Sequence, residues 1–310
     1  MRKIFIAITM MMALGLTSCR HEKSQESKDP EQARLEQAIH IDTVSLTMVG
    51  NPDTIEGHAM LDSLTADAWM LIDDSSGMVI SAKNAYERHY MASITKMMTA
   101  LLTLEHGQLT DTIEITDDVF IDKNPHVKMG DRYVASDLAY IMMMQSDNDA
   151  AYALAKHVAG DTLTFYDMMN HKARYLHMDS TSFANPNGMP NDNNYSSAAD
   201  LVKLARYCMR DTAFATIAGT LQKDIILTNG RHMVCRNFNE LIYTYEGCKG
   251  IKTGSTLKAG FCLASSATRD GTTLTLVLLK SRTSDKRFSE SAALLDYGFR
   301  VMKAYKENLK

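Results

Sequence analysis

The chain of 310 residues contains no strongly basic block, no CxxC pair, no HExxH and no internal repeat. Each absence removes a class of function. Lysine and arginine total 33 against 37 acids, a net charge of −4, so nothing offers the electrostatic footprint that nucleic-acid phosphates require. The cysteines and histidines lack the paired spacing of zinc sites or metallopeptidases, and neither a metal nor a cofactor is expected. The apolar run near the N-terminus, "IFIAITMMMALGL" (4–16), falls short of the about 20 residues that a membrane-spanning helix needs. What is present, 45% hydrophobic and 23% charged residues, suits a soluble globular protein with one large core or two small ones. Methionine is abundant, at 22 residues, and stretches such as "YIMMMQ" (140–145) read as pliable core filler.

Arg2 and Lys3 ahead of the short apolar run make a secretory signal. It ends in "LTSC" (16–19), which resembles the lipobox of bacterial lipoproteins. That resemblance implies cleavage before Cys19 and a diacylglycerol on its thiol; the alternative is an ordinary signal peptide with a stray cysteine. Loss of residues 1–18 removes two positive charges and no negative ones, taking −4 to −6. Cys208, Cys235, Cys248 and Cys262 remain, and in an exported protein they allow three pairings or free thiols.

Residues 20–37, "RHEKSQESKDPEQARLEQ", are polar enough to read as a flexible tether within 19–57. From about 58 to 310 the chain reads as one catalytic domain. "AWMLIDD" and "GMVISAK" (68–74 and 77–83) are strand-like, with a turn at Ser75 to Gly77. The middle is helical in period: 93–107 closing on Gly107, 135–144, 149–160, 161–176 and 196–209, several preceded by Ser or Asp caps. Strands return at 248–254, 260–267 and 272–280, and a helix over about 285–306 follows. Strands at both ends of the domain with helices between them predict one α/β (α+β) sheet with a helical insertion packed on it. The short turns between the last strands make them antiparallel.

Three short motifs occur in order: "SITK" (93–96), "SDN" (146–148) and "KTG" (252–254). Each alone has a bland reading, a solvated strand lysine for Lys252 and a helix cap for Ser146 or Asn148. Their chemistry makes more sense together. Ser93 and Lys96 at i and i+3 share one face of a helix. A serine hydroxyl needs an adjacent base, and a lysine serves only when burial or a neighbouring cation favours its neutral form. Lys252 is a candidate for that cation. A helix N-terminus at Ser93 offers a backbone N–H to a developing oxyanion. Ser146 is placed to relay a proton to a leaving group, and Asn148 to hold a substrate amide or Lys96. Lys252 and Thr253 are candidates for binding a substrate carboxylate. Gly254 is expected to let a ligand backbone lie against the strand, and Ser255 to give a second oxyanion N–H.

These motifs resemble those of the penicillin-recognising serine enzymes, and in particular the low-molecular-weight D-alanyl-D-alanine carboxypeptidases. "AWMLIDDSSGMVISAKNAYERHYMASITKMMTA", "MMMQSDNDAAYALA", "FANPNGMP" (183–190, the loop over the site) and "GIKTGSTLKAGFCLASSA" carry the similarity across most of 66–300. It implies a β-lactamase/transpeptidase-like fold, a five-stranded antiparallel sheet flanked by helices with an all-helical subdomain. The implied activity is a serine peptidase that trims peptidoglycan stem peptides ending in D-Ala-D-Ala through an acyl-enzyme on Ser93, and that β-lactams inhibit. Two positions depart from the family's habit: Asp147, where glycine is frequent, and Ser255, where an aromatic residue or histidine is common. The expected location is the cell envelope, facing the periplasm or extracytoplasmic side, with the Cys19 lipid as membrane anchor.

Three alternatives remain open. A D,D-endopeptidase acting on cross-linked peptidoglycan would use the same residues. A class A-like β-lactamase would need a deacylating glutamate after the second motif, and 171–200 contains none. A non-catalytic wall-binding lipoprotein would not need Ser93, Lys96, Ser146, Asn148 and Lys252 together.

Overall fold

A computed structural model describes residues 29–42, 55–121 and 126–309. The expected signal segment, 1–18, and Cys19 lie outside the described residues.

The first described element is a helix, α1 (Pro30–Ile39), where a flexible tether is expected. Asp29 caps it, Pro30 occupies its first turn, and Leu35 and Ala38 are buried at a spacing of three. Two apolar residues are too few to stand out as a periodic pattern, yet they are enough to seat one helical face. Arg206 completes the docking by donating to the carbonyls of Ala38 and His40.

β1 (Ala68–Asp73) and β2 (Val79–Lys83) form a hairpin, and the turn between them is closed by Asp73, whose carboxylate accepts from Ser75 and Ser76. A 3-10 turn, Ala92–Thr95, then runs into α2 (Lys96–His106). β3 (Thr112–Glu114) and β4 (Arg132–Val134) make a small ribbon. It is followed by α3 (Ala135–Met144), α4 (Asn148–Ala159), α5 (Thr162–Tyr175), α6 (Ala198–Met209) and α7 (Thr212–Gly219). A second ribbon, β5 (Gln222–Ile226) with β6 (His232–Arg236), precedes the short α8 (Leu241–Thr244). The chain closes with β7 (Cys248–Thr256), β8 (Gly260–Arg269), β9 (Thr272–Ser281) and α9 (Ser284–Asn308).

The main sheet has the order β2-β1-β9-β8-β7, antiparallel throughout, so both ends of the domain meet at the β1–β9 pair. Alternation along these strands sends side chains to opposite faces. Trp69, Leu71, Leu274, Leu276 and Leu278 pack against Leu294, Leu295, Tyr297 and Val301 of α9. Ala68, Met70, Ile72, Val277 and Leu279 face the larger core shared with the central helices, where Met142, Met143 and Met144 are buried. With both faces covered, β1 is buried at every position. This is the expected fold, with two ribbons and α7 as elements the sequence pattern did not signal. Among the described residues no helix is long and apolar enough to cross a membrane.

Cys208, Cys235, Cys248 and Cys262 are free thiols. Burial pushes the Cys235 and Cys262 thiols up to about 11.

Candidate active site

The 3-10 turn carrying Ser93 eclipses residues i and i+3 more closely than an α-helix would. It stacks the Lys96 side chain against Ser93. Lys96 Nζ lies 3.0 Å from Ser93 Oγ, 2.8 Å from Asn148 Oδ1 and 2.7 Å from the carbonyl oxygen of Asn187. Lys96 is fully buried. Asn148 Oδ1 and the Asn187 carbonyl can only accept, whereas the Ser93 hydroxyl can also donate. An ammonium satisfies these oxygens by giving three N–H bonds, and a neutral amine, the form that activates a serine, fits the same positions by giving two and taking the serine proton on its lone pair.

Asn148 opens α4 and Ser146 sits just before it with a φ of +60°, lining the same cleft. The cap that a bland reading gives to Ser146 or Asn148 is made by Asp147. Its Oδ1 accepts from the Ala150 N–H at 2.8 Å, and its Oδ2 from the His126 N–H at 2.6 Å. Asp147 thus ties the start of α4 to the segment at His126.

β7 is an edge strand, which leaves one side of its backbone for another chain. Lys252 is buried, and its Nζ donates to the Thr253 carbonyl at 3.0 Å. Burial first, then the charge of Lys96 and then that of Arg287, hold Lys252 well below the ordinary lysine range. The repulsion expected between Lys252 and Lys96 thus acts on Lys252. Thr253, Gly254 and Ser255 line a cleft of about 570 Å³ together with Ser93, Ser146 and Asn148.

Gly254 has a reason beyond the expected one. A Cβ there would sit 3.0 Å from the Met91 carbonyl oxygen and 3.0 Å from the Ser93 nitrogen. The missing side chain lets the strand approach the serine turn.

The loop over the site is equally close. Gly188, at a φ of +85°, would place a Cβ 1.9 Å from the Ala92 carbonyl oxygen. Asn185 Oδ1 accepts from the Gly188 N–H at 2.7 Å, and Thr99 Oγ1 donates to the Pro186 carbonyl at 2.6 Å. These bonds aim the Asn187 carbonyl at Lys96.

Residues 55–283 match the family model described as D-alanyl-D-alanine carboxypeptidase. The chain belongs to that family. It is 33% identical over 252 residues to D-alanyl-D-alanine carboxypeptidase DacC of Escherichia coli strain K12, covering 77% of this chain and 62% of that one. DacF of Bacillus subtilis strain 168 is 29% identical over 242 residues, with 76% and 62% covered. The chain thus spans about three-fifths of the length of these two relatives. The D-alanyl-D-alanine carboxypeptidase of Streptomyces sp. strain K15 is 31% identical over 247 residues, with 74% of this chain and 85% of that one covered. The crystal structure of the Streptomyces K15 DD-transpeptidase superposes with a TM-score of 0.72 at 30% identity, covering 76% of this chain and 97% of that one.

Within this family fold, two features of the cleft escaped the sequence motifs. The Asn187 carbonyl is a backbone group, so only its loop could be signalled. Arg287, on α9, lines the cleft and donates to the Gly254 carbonyl at 3.3 Å and to Ser284 Oγ at 3.1 Å. An arginine in a closing helix carries no motif. The far wall comes from Asn237, Phe238 and Glu240, between β6 and α8.

Proposed function

We propose that the protein is a serine-type D-alanyl-D-alanine carboxypeptidase acting on peptidoglycan stem peptides. The observation that carries this is the Ser93–Lys96–Asn148 contact set opening onto a cleft lined by Ser146 and by Thr253 to Ser255 of an edge strand. Ser93 Oγ attacks the carbonyl carbon of the penultimate D-alanine while its proton passes to Lys96 Nζ. The oxyanion takes the backbone N–H groups of Ser93 and Ser255. The C–N bond breaks, Ser146 relays a proton to the departing D-alanine amine, and water then hydrolyses the ester on Ser93. Lys252, Thr253 and Arg287 receive the terminal carboxylate, whose charge favours the protonated form of Lys252. Asn148 holds Lys96 and, across it, the acyl amide.

β-Lactams would acylate the same serine and leave slowly. The group of the covering loop that bonds Ser93 and Lys96 is the Asn187 carbonyl rather than a carboxylate, which favours the peptidase over a β-lactamase. The finer setting we propose is export by residues 1–18 and anchoring of the mature chain through lipid on Cys19, with the domain on the extracytoplasmic side of the envelope.

The test is release of D-alanine from a muropeptide pentapeptide, with a cross-linked dimer in parallel and products read by mass. The wild type is expected to shorten the pentapeptide by one alanine, and Ser93→Ala to leave it intact. Cleavage of the dimer alone would assign the protein as an endopeptidase.

A further inference from the structure

Among the described residues lining the cleft, Glu240 is the one acid. It is exposed, and its carboxylate has no hydrogen bond or ion pair with any described residue. Its charge nonetheless reaches Arg287, whose charged form it favours, so it acts within the field of the cleft. The wall that carries it is fixed. Asn237 Nδ2 donates to the carbonyls of Ala218 at 3.3 Å and Thr220 at 3.0 Å, and its Oδ1 accepts from the Asn239 N–H at 3.0 Å. The Phe238 N–H donates to the Met144 carbonyl at 2.9 Å. Beside Glu240, Phe238 and Met189 hold large apolar side chains about half exposed at the cleft mouth. The lining thus couples one cation, Arg287, an apolar lip and a single unpaired acid.

We propose that Glu240 is a specificity-determining residue that selects peptides bearing a free side-chain amine on the residue before D-Ala-D-Ala, the aliphatic stem lying along Phe238 and Met189. The inference rests on the peptidase reading above. Its chemical consequence is discrimination between a free ammonium and the same amine closed as an amide. An ammonium meets Glu240 as an ion pair, whereas an amide meets it without charge and costs the carboxylate part of its hydration.

The experiment compares kcat/KM for Nα-acetyl-L-Lys-D-Ala-D-Ala and its Nα,Nε-diacetyl counterpart. The wild type is expected to favour the free amine by about fivefold, the size of one partly exposed ion pair, and to lose that preference at high salt. In Glu240→Gln the ratio should approach one, and in Glu240→Lys it should invert. A ratio equal in wild type and Glu240→Gln overturns the inference alone. Hydrolysis of neither peptide by wild type, with Ser93 still acylated by penicillin, overturns the peptidase reading and this inference with it.

Discussion

A Cβ on Gly254 would stand 3.0 Å from the backbone nitrogen of Ser93. The third motif and the first are therefore packed against each other through backbone, and the glycine sets their separation. Gly254→Ala must push β7 or the serine turn aside by a few tenths of an ångström. Acylation by benzylpenicillin is expected to slow about tenfold or more, since small displacements at a reacting centre are expensive. The thermal midpoint should change little. Stopped-flow acylation with a parallel melting curve checks this; an unaltered rate would show that the strand yields without moving Ser93.

Lys252 is a cost to the fold. Its folded pKa lies well below the unfolded value of about 10.4, with burial the first cause and Lys96 the second. Between those two values the unfolded chain binds more protons, so stability rises with pH across that window. Lys252→Met removes the buried charge and is expected to stabilise the protein by about 1–4 kcal/mol at neutral pH. The gain should shrink as pH climbs through the window. Urea unfolding at several pH values checks it, and parallel stability curves for the two proteins would refute it. Activity should be lost in the same variant, as the proposed carboxylate-binding role of Lys252 requires.

Arg206 holds α1 to the domain. Its guanidinium is fully buried and donates to the Ala38, His40 and Asp74 carbonyls, with the Asp74 carboxylate 3.5 Å from Nε. Arg206→Met leaves those carbonyls without their donor and is expected to cost about 3 kcal/mol. Limited proteolysis within 30–42 should accelerate together with the loss of urea stability. Stability lost without any change in proteolysis would mean that α1 is held by Leu35 and Ala38 instead.

Legibility followed the length scale of each signal. The main sheet was readable because β1, β8 and β9 are long apolar runs with short turns, and because alternation is immaterial when both faces are covered. Ser93, Ser146, Asn148 and Thr253 to Ser255 were readable as motifs, and the fold brings them to one cleft, with Lys96 buried in contact with Ser93 and Asn148. What sequence could not supply was direction. Gly254 could be singled out, but only the approach of the Ser93 turn shows which neighbour needs its small size. Asp147 looked like a departure and turns out to cap α4. Arg287 and the Asn187 carbonyl come from a helix and a backbone whose positions depend on tertiary packing. α1 leaves little periodic trace in the sequence, with two buried side chains and a cap.

The central claim is that Ser93, activated by Lys96, forms a covalent acyl-enzyme. Intact-protein mass spectrometry after brief exposure to benzylpenicillin tests it most directly. The account predicts a mass gain of one whole ring-opened penicillin, persisting over minutes, mapped to the peptide that contains Ser93 and absent from Ser93→Ala. No adduct on the wild type, or an adduct that survives in Ser93→Ala, would contradict it.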